Sequence, residues 1–207
     1  NVGKVMETGG DGIGFRAGDI VFSTQPHRSG FIATERNLLV SVPKGLSSEE
    51  ASLAYLMQLG LAALRQARYE TGENVVVAGL GVIGLCTVAL ARAMGAKVVA
   101  VANSDIRAQA ALRVGAERAL LSDNPDISSL MRDTFRGAGA DIVILTSNTW
   151  DAYFQSLDLV RRRGRVSILG FPGRGQAPPA RNPLDPEPFY SKQLTLLGAG
   201  HSPSVEC

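Results

Sequence analysis

The chain has 207 residues, 45% of them apolar and 19% charged, with 21 Lys and Arg against 19 Asp and Glu for a formal net charge of +2. This near-balance of charge argues against a nucleic-acid or membrane surface, and every apolar stretch is broken by glycine or charge well short of the about 20 residues that a spanning helix needs. The two cysteines, Cys86 and Cys207, exclude a disulfide framework, and no secretory signal opens the chain, so a cytoplasmic protein is the expectation.

In chain order, the first segment is rich in glycine and β-formers. Val2 to Met6, Ile20 to Phe22, Phe31 to Thr34 and Leu38 to Val42 read as short strands, part of a β-barrel. Pro43-Lys44-Gly45 makes a turn. A helix follows, capped by Ser47 or Ser48, with Glu49 and Glu50 in its first turn and apolar positions running through Leu53, Leu56, Leu64 and Ala67. The division this implies is residues 1–50 for the barrel part and 51–207 for an α/β part.

The α/β part opens with the apolar run Val75-Val76-Val77-Ala78, then Gly79-Leu80-Gly81-Val82-Ile83-Gly84, then an Ala-rich helical pattern ending at Gly95. The three glycines serve different physical ends. Gly79 permits a sharp turn, Gly81 lets backbone N–H groups approach phosphate oxygens, and Gly84 lets the helix pack closely on the strand. Val82 and Ile83 supply the first N–H groups of that helix. Lys97 to Val101 is a second buried strand, and strand, turn, helix and strand within about 30 residues predict a dinucleotide site.

The alternation continues with a helix Ile106 to Val114 capped by Ser104, a strand Ala119 to Leu121, a helix Ile127 to Phe135 and a strand Asp141 to Leu145. A helix from Ala152 to Val160 stopped at Gly164, a strand Val166 to Leu169, a Pro-rich segment Phe171 to Pro188 and a sixth strand Leu194 to Leu197 complete it. Six strands alternating with helices predict a doubly wound parallel Rossmann sheet with its ligand crevice at the carboxyl ends of the strands.

With these residues in view, the chain resembles the medium-chain dehydrogenases and reductases, the superfamily of zinc alcohol, sorbitol and threonine dehydrogenases and of zinc-free quinone reductases. Gly18-Asp19-Ile20-Val21 resembles the family's barrel turn, Val42-Pro43-Lys44-Gly45-Leu46-Ser47 its link, Gly79 to Gly84 its cofactor turn, and Gly164-Arg165-Val166 with Leu194 to Gly198 its last strands. The resemblance implies a Rossmann domain preceded by part of a GroES-like β-barrel, in a partial chain that lacks the upstream half of the barrel and the C-terminal tail. It implies NAD(P)-dependent hydride transfer between a nicotinamide cofactor and a small alcohol or carbonyl, and a homodimer formed through strand Leu194 to Gly198.

The resemblance also bears on zinc. The catalytic His would fall just upstream of Asn1, and the third ligand near Ala54, where the residues are Leu53, Ala54, Tyr55 and Leu56. Ser23 to Ile32 passes directly into the next strand where a structural zinc lobe would stand. Zinc is therefore not expected from these residues, which leaves a zinc-free enone or quinone reductase as an alternative. A non-catalytic NADPH-binding module is a second alternative. Methyltransferases share the strand, turn and helix, but the sixth apolar strand and the barrel-like segment fit a dehydrogenase better.

For the cofactor, Ala102 stands where NAD-binding proteins place the acid that holds the ribose hydroxyls. Asn103, Ser104 and Arg107 follow as donors for a 2′-phosphate, which favours NADP; an inward-facing Asp105 would favour NAD. Thr146, in Thr146-Ser147-Asn148, and Gly170, in Leu169-Gly170-Phe171, lie where backbone groups of the family hold the nicotinamide. Arg161-Arg162-Arg163 reads as the last turn of a helix, complementing its dipole. His27 reads as a surface residue, His201 as near a substrate or partner subunit, and the Pro-rich segment as a lid or a long connection.

Overall fold

A computed structural model describes residues 1–9, 14–34, 36–137 and 139–200. The chain divides into two compact units, Asn1–Tyr55 and Leu56–Cys207. His201 and Cys207 lie outside the described residues.

The first unit is a three-stranded antiparallel sheet, β1 (Val2–Lys4), β2 (Ile20–Ser23) and β3 (Leu39–Ser41), in the order β1-β2-β3. Helix α1 (Ser48–Ser52) packs on β1 and β2 and buries Ala51, while Val21 and Ser23 are buried from the sheet. Ser47 caps α1: its hydroxyl accepts from the Glu50 N–H at 3.1 Å, and the Glu50 carboxylate accepts from the Ser47 N–H at 2.9 Å. These bonds hold the Glu50 carboxyl below its ordinary range. Phe31 to Thr34 is not a strand. Despite its β-formers it pairs with no strand among the described residues, and the Thr34 N–H donates to the Asn37 side chain at 2.7 Å in a local turn.

In the second unit six parallel strands run in the order β6-β5-β4-β7-β8-β9. They are β4 (Asn74–Ala78), β5 (Lys97–Ala102), β6 (Arg118–Leu121), β7 (Ala140–Leu145), β8 (Val160–Ile168) and β9 (Thr195–Gly198). The helices are α2 (Ala54–Gln66), which begins at the boundary between the units, α3 (Val82–Ala93), α4 (Asp105–Arg113), α5 (Ile127–Thr134) and α6 (Trp150–Leu159). The single helix expected from Ser47 to Ala67 is thus two, divided at Leu53. Among the described residues no helix is long and apolar enough to cross a membrane.

Successive strand residues point to opposite faces, and both faces are covered, so the central strands are apolar throughout. Val75, Val77, Val98, Ala100, Ile142 and Ile144 pack with Ala63, Leu64, Val88, Ala91 and Ala111. On the other face Val76, Val99, Val143, Leu145 and Val166 pack with Met131, Tyr153 and Leu157. This is the doubly wound sheet the alternation predicts.

Polar residues tie the sheet together at the amino ends of its strands. Asp141 accepts from the Asn74 N–H at 2.8 Å and pairs with Arg161 at 2.5 Å. Arg165 donates to the Ala67 carbonyl at 2.8 Å and pairs with Glu73, which pins the end of α2 to β8.

The arginine run departs from expectation. α6 ends at Leu159, and Arg161 to Arg163 belong to the irregular start of β8, where Arg163 has a φ of +59° and the register with β7 shifts. The charge that meets the end of α6 is Lys192, far along the chain. Its ammonium donates to the carbonyls of Leu157 at 2.7 Å, Asp158 at 2.8 Å and Val160 at 3.1 Å. Burial holds the Lys192 pKa below its ordinary value, against a smaller opposing effect of Asp158.

Lys192→Met, which keeps the aliphatic stem but leaves those carbonyls unpaired, is expected to cost about 1–3 kcal/mol of stability in urea unfolding.

Candidate functional site

The sheet order reverses between β4 and β7: from β4 the chain moves outward to β5 and β6, then returns to β7 on the opposite side. The carboxyl ends of β4 and β7 therefore feed connections that leave in opposite directions, which opens a crevice at this point of the sheet. Four loops meet there: Gly79–Gly81 after β4, Asn103–Ser104 after β5, Thr146–Asn148 after β7 and Leu169–Phe171 after β8.

The glycine turn is built as its sequence predicts. Gly79 has a φ of +97°, and a Cβ there would lie 2.7 Å from the Ser147 nitrogen. A Cβ on Gly84 would overlap the Gly79 carbonyl oxygen and stand 3.1 Å from the Thr146 hydroxyl. At Gly81 a Cβ would meet nothing within 4 Å. Gly81 is the N-cap of α3, makes no side-chain capping bond, and no acid stands in the first turn. Orphan N–H groups of a twelve-residue helix thus open onto free space in front of Val82, which is 57% exposed. Uncompensated N–H groups, positive dipole and room are what an anionic pyrophosphate requires. Ile83 is partly buried against the core behind the turn.

Thr146 has a role the sequence did not disclose. Its hydroxyl donates to the Gly79 carbonyl at 2.6 Å and its N–H to the Ala78 carbonyl at 2.9 Å, so it fastens the glycine turn to the end of β7. The signal was present only as a small hydroxyl residue following an apolar strand, and nothing in that pattern names its partner. Gly170 donates its N–H to the Leu145 carbonyl at 2.9 Å, and a Cβ there would overlap the Ser147 carbonyl oxygen. Gly170 thus lets the ends of β7 and β8 close on one another.

At the far side of the crevice, Ala102 ends β5 and is buried. Arg107 donates to the Asn103 side-chain oxygen at 2.9 Å, an exposed contact that joins two of the three expected donors. Ser104 is the N-cap of α4, yet its side chain makes no capping bond, so its hydroxyl is not consumed by the helix. Asp105 lies in the first turn of α4, and Ile106 beside it is 76% exposed.

The Pro-rich segment is fastened along α6. Trp150 donates from its N–H to the Gln176 side chain at 3.0 Å and from its indole to the Ala177 carbonyl at 3.2 Å. Tyr153 donates to the Pro183 carbonyl at 2.8 Å, and Arg181 stands 4.9 Å over the Phe154 ring. Burial raises the Tyr153 pKa, as it does that of Cys86 inside α3. The segment is a packed connection along its contacts with α6.

For metals, no group of three or more His, Cys, Asp or Glu residues that could hold an ion occurs among the described residues. The residues around Ala54 offer no thiolate, imidazole or carboxylate.

Comparison with known proteins agrees with this architecture. Residues 82–202 match the model of a family described as zinc-binding dehydrogenase. The sorbitol dehydrogenase of Bacillus subtilis (strain 168) is 27% identical over 165 residues, 77% of this chain and 47% of that protein. The D-guloside 3-dehydrogenase of Escherichia coli (strain K12) is 31% identical over 173 residues, 82% of this chain and 49% of that protein. The chain thus spans about half the length of the curated relatives it matches. The galactitol-1-phosphate dehydrogenase of Escherichia coli shares the fold with a TM-score of 0.81 at 18% identity, over 99% of this chain and 67% of that one. The glycine turn, the sheet order and the family match converge, and the chain belongs to the zinc-binding dehydrogenases of the medium-chain dehydrogenase and reductase superfamily.

Proposed function

We propose that this chain is the cofactor-binding portion of an NAD(P)-dependent oxidoreductase acting on a small alcohol or carbonyl compound. The observation that carries the reading is the open, uncapped N-terminus of α3 behind Gly79 and Gly81. Relatives named as sorbitol and guloside dehydrogenases support oxidoreduction of this kind. A bound nicotinamide supplies hydride exchange at its C4. The chain's own contribution is binding and orientation: α3 holds the pyrophosphate, and Gly170, by letting the ends of β7 and β8 close on one another, sets the backbone of the loops that would receive the nicotinamide end.

NADP is the favoured cofactor. Ala102 presents no carboxylate to repel a 2′-phosphate, Ser104 has a hydroxyl unused by its helix, and Arg107 forms no ion pair among the described residues. NAD is the alternative, and Asp105 is the acid that would serve it. The assembly that fits the sheet is a homodimer: β9 is the outer strand, and its free edge offers backbone groups to a second copy. A zinc-free enone or quinone reductase is the second reading of the activity, favoured by the residues around Ala54. A non-catalytic NADPH-binding module differs from both in binding cofactor with no turnover in the whole protein.

Two sets of titrations test the site. In calorimetry NADPH is expected to bind more tightly than NADH, and Arg107→Ala to weaken NADPH about tenfold by loss of one charge-assisted contact while leaving NADH unchanged. Equal or tighter NADH binding would reverse the cofactor assignment, and no binding of either would remove the dinucleotide reading.

Gly84→Ala is expected to abolish binding of both cofactors and to destabilise the fold by about 1–3 kcal/mol, since the added methyl must displace the glycine turn. Thr146→Val is expected to cost about 1 kcal/mol and to weaken both cofactors equally, read by urea unfolding and calorimetry together.

A further inference from the structure

The loop after β8 carries a cation that the cofactor reading does not use. Phe171-Pro172-Gly173-Arg174 is a β-turn in which the Arg174 N–H donates to the Phe171 carbonyl at 3.0 Å. Pro172 stands second and Gly173 third with a φ of +78°, the type II arrangement. Three contacts bolt this turn down. The Phe171 N–H donates to the Asn148 side-chain oxygen at 2.8 Å, the Gly173 N–H donates to the Asn148 carbonyl at 2.8 Å, and the Gly173 backbone lies so close to the Trp150 indole that a Cβ would overlap it.

On this platform the Arg174 guanidinium sits 5.8 Å from the centre of the Phe171 ring, which is 64% exposed. Phe171, Pro172, Gly173 and Arg174 border a shallow, open surface hollow. Among the described residues Arg174 enters no ion pair and its side chain donates no hydrogen bond. Arg181, the other arginine stacked on an aromatic ring, is by contrast paired with Asp185 at 3.6 Å and donates to the Glu187 carbonyl at 2.8 Å.

Position separates this cation from the cofactor's phosphates. β8 lies two strands from β4, roughly 10 Å across the sheet at ~4.8 Å per strand. A pyrophosphate held at α3 is thus on the far side of β7. On the dinucleotide reading the adenosine half lies over β4 and β5 and the nicotinamide half over β7 and β8, the side of the crevice that Arg174 adjoins, and there the reacting carbon of a substrate must come.

We propose that Arg174, with Phe171 beside it, binds an anionic group of the substrate, so that the substrate class is a small hydroxy or oxo compound bearing a carboxylate or a phosphate. Guanidinium matches the paired oxygens of either group, and the ring supplies an apolar wall for the carbon chain next to it. A neutral polyol could accept hydrogen bonds from the guanidinium but would gain no charge pairing with it. The inference rests on the dinucleotide reading of the crevice.

The test is titration of the cofactor-loaded chain with three probes, glycerate, glycerol 1-phosphate and glycerol, followed by calorimetry and by nicotinamide fluorescence. One or both anions are expected to bind at least about tenfold more tightly than glycerol, and which anion is preferred identifies the group. Arg174→Gln is expected to erase that preference, Arg174→Lys to restore part of it, and Asn148→Ala, which frees the turn while keeping the charge, to give an intermediate loss. Cofactor affinity without probe should be the same in the wild type and Arg174→Gln.

Equal binding of anions and glycerol, or an unchanged preference in Arg174→Gln, would overturn the assignment while leaving the dinucleotide site standing. A fall in cofactor affinity in Arg174→Gln without probe would also overturn it, by giving the cation to the cofactor. A wild-type chain that binds no dinucleotide would overturn both readings at once.

Discussion

Close approach of α3 to the turn that precedes it is the constraint on which the site depends. Gly84 faces the Gly79 carbonyl at a distance that leaves no room for a methyl group, and Thr146 donates its hydroxyl to that same carbonyl. The carbonyl is therefore held from both sides, by a helix without a side chain at the contact and by the end of the neighbouring strand. The turn cannot relax away from the sheet, so the first N–H groups of α3 stay aimed across the crevice. A helix N-terminus held in this way is preorganised for an anion, and none of its donors is consumed by a capping side chain.

That preorganisation draws on the sheet around it. Apolar side chains on both faces of β4, β5 and β7 pack into two separate clusters, one against each layer of helices, so these strands are buried on both sides. At the opposite end of the strands Asp141 joins β4, β7 and β8 through a backbone N–H and Arg161. The ion pairs thus lie at the amino ends, while the fastenings at the carboxyl ends are neutral hydrogen bonds such as that of Thr146 to Gly79. The separation has a physical consequence: ion pairs there are partly shielded from water, while the N-terminus of α3 at the other end keeps its first N–H groups without a capping side chain.

The connection between β8 and β9, irregular except for a short helical stretch at Pro186–Tyr190, illustrates how a long segment becomes ordered by its contacts with one helix. Trp150, Tyr153 and Phe154 on α6 each receive a part of it, and Lys192 closes it against the last carbonyls of the same helix. One helix therefore organises the long return of the chain from the end of β8 to Lys192. The type II turn at Phe171 to Arg174 is rigid because it is the first piece of that connection, held by Asn148 before the helix begins.

Much of this was legible in the amino-acid order, for reasons that are local. Short Val- and Ile-rich runs bounded by turn residues favour buried strands, Gly95 and Gly115 end helices because their positive φ values suit residues without a side chain, and Gly79-x-Gly81-x-x-Gly84 announces its own turn. What required tertiary structure involved partners distant in sequence. Phe31 to Thr34 had β-forming residues but no strand partner among the described residues, the arginine run lay beyond the helix because the chain turns extended at Val160, leaving the helix end to Lys192, and the Thr146 hydroxyl found Gly79 at the end of the neighbouring strand. Propensity and glycine spacing act within a few residues of chain, and they determined the elements and the cofactor turn; a hydrogen bond or an ion pair between remote residues exists only once the sheet has brought them together, and that is what decided how the site is held.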